Sequence, residues 1–234
     1  MNLTYKVVLI TGASRGLGLA LAEGLADKGA RLALVARGAT ELEGRASALG
    51  GRADVLALPA DVAQDAETII EKTLERFGRI DVLINNASTI GTSPMPRLDQ
   101  LEWQELEAVL RVNVLAPFHL TRLALPSLRK NRGTVVNISS DAAVEAYPGW
   151  GAYGTSKAAL DHLTRILAAE SGEDLRVLLV DPGDMRTRMH EQAEPGVDLS
   201  GLPLPADVAP RILDLLERNG SAFERVRAQQ LVRL

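Results

Sequence analysis

Short apolar runs rich in β-branched residues alternate with longer amphipathic runs along the whole chain, and this alternation most limits its possible folds. The runs expected as strands are residues 5–11, 31–36, 53–58, 80–85, 134–139, 175–180 and 223–232. Helical periodicity covers residues 16–29, 40–49, 64–77, 98–129, 153–171 and 207–218. The long helix is expected to break around Pro117 and to end near Pro126, because proline has no N–H to donate.

Strands that are apolar throughout need cover on both faces, and a parallel sheet between two helical layers provides it. Right-handed crossovers then wind the sheet in two halves. The expected fold is α/β: a single domain over residues 1–234, a doubly wound parallel sheet of Rossmann type with about seven strands. Ligands of such sheets bind beyond the carboxyl ends of the strands. Gly12, Arg37, Asp61, Asn86, Ser140 and Pro182 all follow expected strand ends, so they should share one rim.

The first strand runs into Thr11-Gly12-Ala13-Ser14-Arg15-Gly16-Leu17-Gly18, and a helix follows. Glycines let the backbone turn sharply and let a pyrophosphate approach without a Cβ in the way. The helix N-terminus then presents free N–H groups to the phosphates. The spacing is G-x-x-x-G-x-G rather than G-x-G-x-x-G. Its place between a first strand and a first helix favours a dinucleotide over mere punctuation.

The second strand ends Ala36-Arg37, where proteins that bind NAD usually carry a carboxylate for the ribose 2′-hydroxyl. Neither residue is acidic. Arg37, with Arg15 reaching from the glycine turn, suits a 2′-phosphate, so NADP(H) is expected in preference to NAD(H). Asp61-Val62 follows the third strand. Its carboxylate suits either an adenine amino group or the N-cap of the next helix, and spacing does not separate these.

Tyr153 and Lys157 lie four residues apart on an expected helix and so share a face. A phenol is a poor acid or base near neutrality, with a reference pKa of about 10. A neighbouring ammonium is expected to lower it and suit it to proton exchange with an alcohol oxygen. Ser140, just past the fifth strand, can hold a substrate oxygen. Asn113 interrupts an apolar helical run and can equally bond to backbone there.

Composition closes other routes. The chain has no cysteine, which excludes disulfides, thiolate metal sites and thiol nucleophiles. His119, His162 and His190 lie far apart without metal-ligand spacing, so no metal is expected. Net charge is -4 with Lys and Arg scattered, so no nucleic-acid surface is expected. No apolar run approaches the ~18 residues of a membrane span and no signal region opens the chain, so a cytoplasmic protein off the membrane is expected. Two glycosylation-type triplets, at Asn2 and Asn137, read as chance.

Together, T-G-x-x-x-G-x-G, Asn85-Asn86-Ala87, Asn113, Ser140 and Y-x-x-x-K resemble the short-chain dehydrogenase/reductase family in its compact single-domain branch. The resemblance covers nearly the whole chain, to about Met189. It implies Tyr153 as the general acid, Lys157 as its partner and ribose ligand, and Ser140 as the clamp on the substrate oxygen. It implies Asn113 as the residue ordering a water beside Lys157. The cofactor would lie on Gly12, Ser14, Arg15, Gly16, Leu17, Gly18, Arg37, Asp61, Val62, Asn86 and Ala87, with Tyr153, Lys157, Pro182, Gly183 and Thr187 at the nicotinamide end. A local similarity to sepiapterin reductase and its bacterial relatives spans residues 134–140 and Gly149-Trp150. It points to a bulky or dicarbonyl substrate, with Trp150 either a pocket wall or simple loop packing.

Three departures stand out. Ser88 replaces the usual glycine after Asn-Asn-Ala, Asp184 follows Pro182-Gly183 where a small or apolar residue is commoner, and the tail lacks the T-G then D-G-G pattern of many tetramers. A homodimer through the long helices is therefore expected ahead of a tetramer. The substrate, a small carbonyl or alcohol, is expected between residues 88–96, 141–150 and 184–204. The proline- and glycine-rich stretch 184–205 reads as a mobile lid or an ordinary surface connection. The rival function is an NADPH-binding sensor with the same fold and little catalysis. A methyltransferase is less well supported, because it usually needs an acid ending the second strand.

Overall fold

The computed structural model describes residues 1–231. Every side chain of β1 (Val7–Thr11) is buried, which places this strand mid-sheet. It pairs in parallel with β2 (Arg31–Ala36) on one side and β4 (Val82–Asn85) on the other. β3 (Val55–Pro59) extends the sheet beyond β2. On the far side follow β5 (Thr134–Ile138), β6 (Arg176–Asp181) and β7 (Phe223–Arg227). The seven-stranded order β3-β2-β1-β4-β5-β6-β7 is parallel throughout, as the alternation predicts. The order reverses between β1 and β4, which opens a crevice at their carboxyl ends.

Successive strand residues point to opposite faces. Val8, Ile10, Leu32, Leu34, Val136 and Leu178 pack against α1 (Gly16–Asp27), α2 (Ala39–Leu49) and α8 (Pro205–Glu217). Val7, Leu9, Ala33, Val35, Val135 and Val177 pack against α3 (Ala66–Phe77) and α5 (Ala116–Lys130). Leu21 of α1 is fully buried in the first layer, and trimming such a leucine to alanine costs about 2–5 kcal/mol. Gly24 lets α1 and α8 meet closely, since a Cβ there would lie 2.4 Å from Leu213 Cδ1.

The long helix corrects two expectations. α4 (Trp103–Leu110), a π turn at Arg111–Leu115 and α5 form one continuous helix. Pro117 does not break it, because it sits in the first turn after the wider π turn. Pro126 does not end it either. Its ring is exposed, so the bond its nitrogen cannot make is lost on the solvent side. Among the described residues this helix is also the one long and apolar enough by composition to cross a membrane, contrary to expectation. Its Ala116, Leu120, Ala124 and Leu128 lie in the core.

Other differences are smaller. Strand and helix ends shift by a few residues, and α6 (Gly151–Ser171) starts two residues early. A short helix, α7 (Arg188–Ala193), lies inside the stretch read as a lid. The last strand stops at Arg227 and passes into a 3-10 turn at Ala228–Gln230, and Val232 lies outside the described residues. β7 is tied down by charge. Arg225 meets Asp161 of α6 at 3.1 Å, Arg227 meets Asp181 of β6 at 3.4 Å, and Glu224 meets Arg176 at 2.8 Å.

Candidate active site

The glycine turn is shaped by what glycine leaves out. Gly12 and Gly16 have positive φ of 66° and 56°. A Cβ on Gly12 would lie 2.9 Å from Asn86 Nδ2, and one on Gly18 only 2.3 Å from the Gly12 carbonyl. Gly18 therefore packs the helix onto the turn, while Gly12 lets the β4 loop come close. Asn86 holds that loop in place, donating from Nδ2 to the carbonyls of Thr11 (2.9 Å) and Gly12 (3.2 Å). The Thr11 hydroxyl accepts from the backbone N–H of Asn86 and of Ala87, both at 3.0 Å.

α1 has no side-chain cap and no acid in its first turn. Its free N–H groups therefore face the crevice, where an anion can satisfy them. Together with a turn that tolerates no extra Cβ, this fits a dinucleotide pyrophosphate.

At the other end of the crevice, α6 carries Tyr153 and Lys157 on one face. Tyr153 is 8% exposed and Lys157 3%. The Lys157 ammonium lies 5.4 Å from the centre of the Tyr153 ring and donates to the Ile138 carbonyl at 2.8 Å. The net shift of the phenol runs opposite to the lowering expected from Lys157, and burial is the cause. Burial pushes the phenol well above its usual range, and the Ser140 and Ser88 hydroxyls pull it only partly back. Burial also pulls Lys157 down to about 8, against the pull of Asp161.

Ser140 is held from both sides. Its hydroxyl donates to Asp141 Oδ1 at 3.0 Å and accepts the Ala142 N–H at 3.1 Å. Asp141 Oδ2 also accepts from the Tyr147 hydroxyl at 2.9 Å. Asn113 lies in the π turn, almost fully buried. Its Oδ1 accepts from the Ser88 hydroxyl (3.1 Å) and Thr89 N–H (2.8 Å), and its Nδ2 donates to the Thr89 carbonyl (2.8 Å) and Ser156 Oγ (2.9 Å). Ser156 in turn donates to the Tyr153 carbonyl at 2.6 Å.

One cleft of about 1310 Å³ joins the two ends. Gly12, Ser14, Arg15, Gly16, Leu17, Arg37, Asp61, Val62, Asn86, Ala87, Ser140, Tyr153, Lys157, Pro182, Gly183 and Thr187 all line it. Gly18 and Asn113 stand behind its wall and shape it from there. Asp61 is not the N-cap of α3, which is Asp65. Its carboxylate closes a turn by accepting the Ala63 N–H at 2.9 Å. The three expected substrate segments do converge. Ile90, Trp150, Met189 and Ala193 pack around Tyr153, and Ser93 Oγ donates to the Gln192 carbonyl at 2.6 Å.

Residues 6–198 match the model of the short chain dehydrogenase family. The chain is a short-chain dehydrogenase. It is 38% identical over 192 residues to an 11-beta-hydroxysteroid dehydrogenase-like protein of Arabidopsis thaliana, covering 80% of this chain and 62% of that protein. It therefore spans about three fifths of that plant relative's length. It is 33% identical over 234 residues to the 3-oxoacyl-[acyl-carrier-protein] reductase FabG of Thermotoga maritima, covering 94% of each. A short chain dehydrogenase from Pseudomonas syringae superposes with a TM-score of 0.90 at 32% identity, covering 97% of this chain and 96% of that one. One from Shigella flexneri, complexed with NADP, gives 0.88 at 29% identity, covering 97% and 99%.

Thr11 belongs to the glycine-turn motif and Asp141 to the expected substrate segment 141–150, but their hydrogen-bond partners do not show in the chain. Glu41 carries no local motif at all. No acid ends β2, as the sequence states, yet Glu41 reaches the same corner from the first turn of α2. It accepts from Ser14 Oγ at 3.2 Å and lies 3.6 Å from the Arg15 guanidinium.

Proposed function

We propose that this short-chain dehydrogenase reduces a ketone or aldehyde with NADPH, or oxidises the matching alcohol with NADP⁺. The observation that carries this reading is the placement of Ser140, Tyr153 and Lys157 at one end of a cleft whose other end is an uncapped helix N-terminus. When bound, the nicotinamide supplies or accepts the hydride. Gly12, Gly16 and the first turn of α1 hold the pyrophosphate, and Arg15 and Arg37 take the 2′-phosphate. Asp61 and Val62 face the adenine, and Pro182, Gly183 and Thr187 border the nicotinamide.

Ser140 and Tyr153 then hold the substrate oxygen. A phenol held above its usual range keeps its proton at neutral pH, and so serves as the acid when negative charge builds on that oxygen. Lys157 keeps a positive charge beside it below pH about 8. Alcohol oxidation needs the phenolate instead, so oxidation should gain rate as pH rises.

Absorbance at 340 nm tests this, with NADPH and NADH compared against a panel of ketones, diketones and aldehydes. Turnover with NADPH well above NADH supports the whole reading. Turnover with NADH alone keeps the reaction and overturns the role of Arg15 and Arg37. NADPH binding without turnover on any panel member moves the reading to a sensor.

The oligomer reading rests on the long helix, where Trp103, Leu115 and Phe118 are more than half exposed. A homodimer that buries this face, rather than a tetramer, is the assembly we propose. A charged substitution at Phe118 should then shift the mass measured in solution from dimer to monomer.

A further inference from the structure

The corner of the cleft beside the glycine turn contains an anion seat that the chain itself fills. Ser14 is 4% exposed and aims its hydroxyl at Glu41 Oε2, 3.2 Å away. Arg15 Nη2 lies 3.6 Å from the same oxygen. A neutral donor and a cation thus share one carboxylate oxygen. That oxygen also lies 4.0 Å from where a Cβ on Gly38 would stand. Ser14, Arg15, Arg37 and Gly38 all line the cleft, so the carboxylate stands between the glycine turn and the end of β2.

A phosphate monoester on a ribose needs the same partners: a hydroxyl, a guanidinium and no competing anion. We propose that Glu41 is a specificity-determining residue, which occupies the 2′-phosphate seat in the free protein and weakens the preference for NADP(H) over NAD(H). This rests on the reading that NADP(H) binds here with Arg15 at its phosphate. To admit the phosphate, Glu41 swings out and surrenders Arg15 and Ser14. An incoming NAD(H) displaces nothing. Both charged side chains are about half exposed, so the competition is worth roughly three- to ten-fold in affinity ratio, not hundreds.

The test uses 2′,5′-ADP and 5′-AMP, which differ only in the phosphate at issue and need no turnover. Calorimetric titration of the whole protein, E41Q, E41A and R15A gives the affinity ratio of the two nucleotides. The ratio should rise roughly three- to ten-fold in E41Q and E41A. It should fall in R15A. Glu41 is exposed, so these variants should fold. A merely structural role, supporting the start of α2, would lower the melting temperature and shift both affinities alike.

If wild type prefers 2′,5′-ADP but the ratio is unchanged in both Glu41 variants, Glu41 does not compete and the proposal fails while the NADP reading stands. If wild type prefers 5′-AMP and the variants weaken it, Glu41 binds ribose hydroxyls, and both readings fail.

Discussion

Around the β1–β2 end of the rim the cleft is made of backbone, and around the β5–β6 end it is made of side chains. At the first, three glycines and an uncapped helix start do the work, and adding atoms is what would harm it. At the second, Asn113, Tyr153 and Lys157 are buried polar groups and Ser140 is half-buried, and each needs a partner. On the proposed function, the contrast teaches why one fold could keep its cofactor and change its chemistry. Binding would depend on a shape that few substitutions improve, whereas catalysis would depend on groups whose properties their neighbours set.

The largest effect that would break this comparison lies at the second end. Tyr153→Phe should lower kcat by about a thousandfold or more while NADPH binding, followed by fluorescence, stays within a few-fold. Substantial turnover would remove Tyr153 from the chemistry.

At the first end, Gly18→Ala forces a methyl to 2.3 Å from the Gly12 carbonyl. It should cost about 1–3 kcal/mol of stability and at least roughly tenfold in cofactor affinity. A thermal melt and a titration check it, and unchanged values would mean that the turn is not tight.

Ser88→Ala sharpens the comparison further. The Ser88 hydroxyl pulls the phenol down, so its loss should push the phenol up. The pH profile of alcohol oxidation should then move to higher pH, with a change in kcat of only a few-fold. A profile that does not move would leave Ser88 as a support for Asn113 alone.

The smallest effect concerns stability. Lys157 titrates near 8 when folded and near 10.5 when unfolded. Between these values the unfolded chain binds more protons, so this group raises stability as pH climbs from about 8 to 10.5, and costs stability below 8. Lys157→Met should therefore melt higher than wild type at pH 7, by about 2–4 °C per kcal/mol recovered, and the gain should shrink toward pH 10.5. A constant difference across that range would show that the lysine is not strained by burial.

Period and position made most of this readable in advance. The seven strands, the glycine turn and the Tyr153-Lys157 pair are local patterns, and each appears where the pattern placed it. Two kinds of feature were hidden. Pro117 and Pro126 suggested breaks, yet sheet packing and a π turn overrode their local preference. Glu41 acts through contacts from α2 to the glycine turn, and no spacing in the chain announces those, while Ser88 and Asp141 fall in expected segments but their partners do not show. The phenol's burial is hidden for the same reason. A neighbouring ammonium can be read from i and i+4, but the burial that outweighs it cannot.

The outermost strands carry one more consequence. An open parallel sheet has two unpaired borders, each of which would welcome a strand from another molecule. Here β3 ends in Pro59, which has no N–H to offer, and three of the five residues of β7, Glu224, Arg225 and Arg227, are charged and paired within their own molecule. A neighbouring chain arriving at either border meets a missing donor or a row of charges already held in ion pairs. At high concentration this protein should resist stacking into fibres, and an uncharged substitution at Arg225 would weaken that protection on the side that also holds α6 through Asp161.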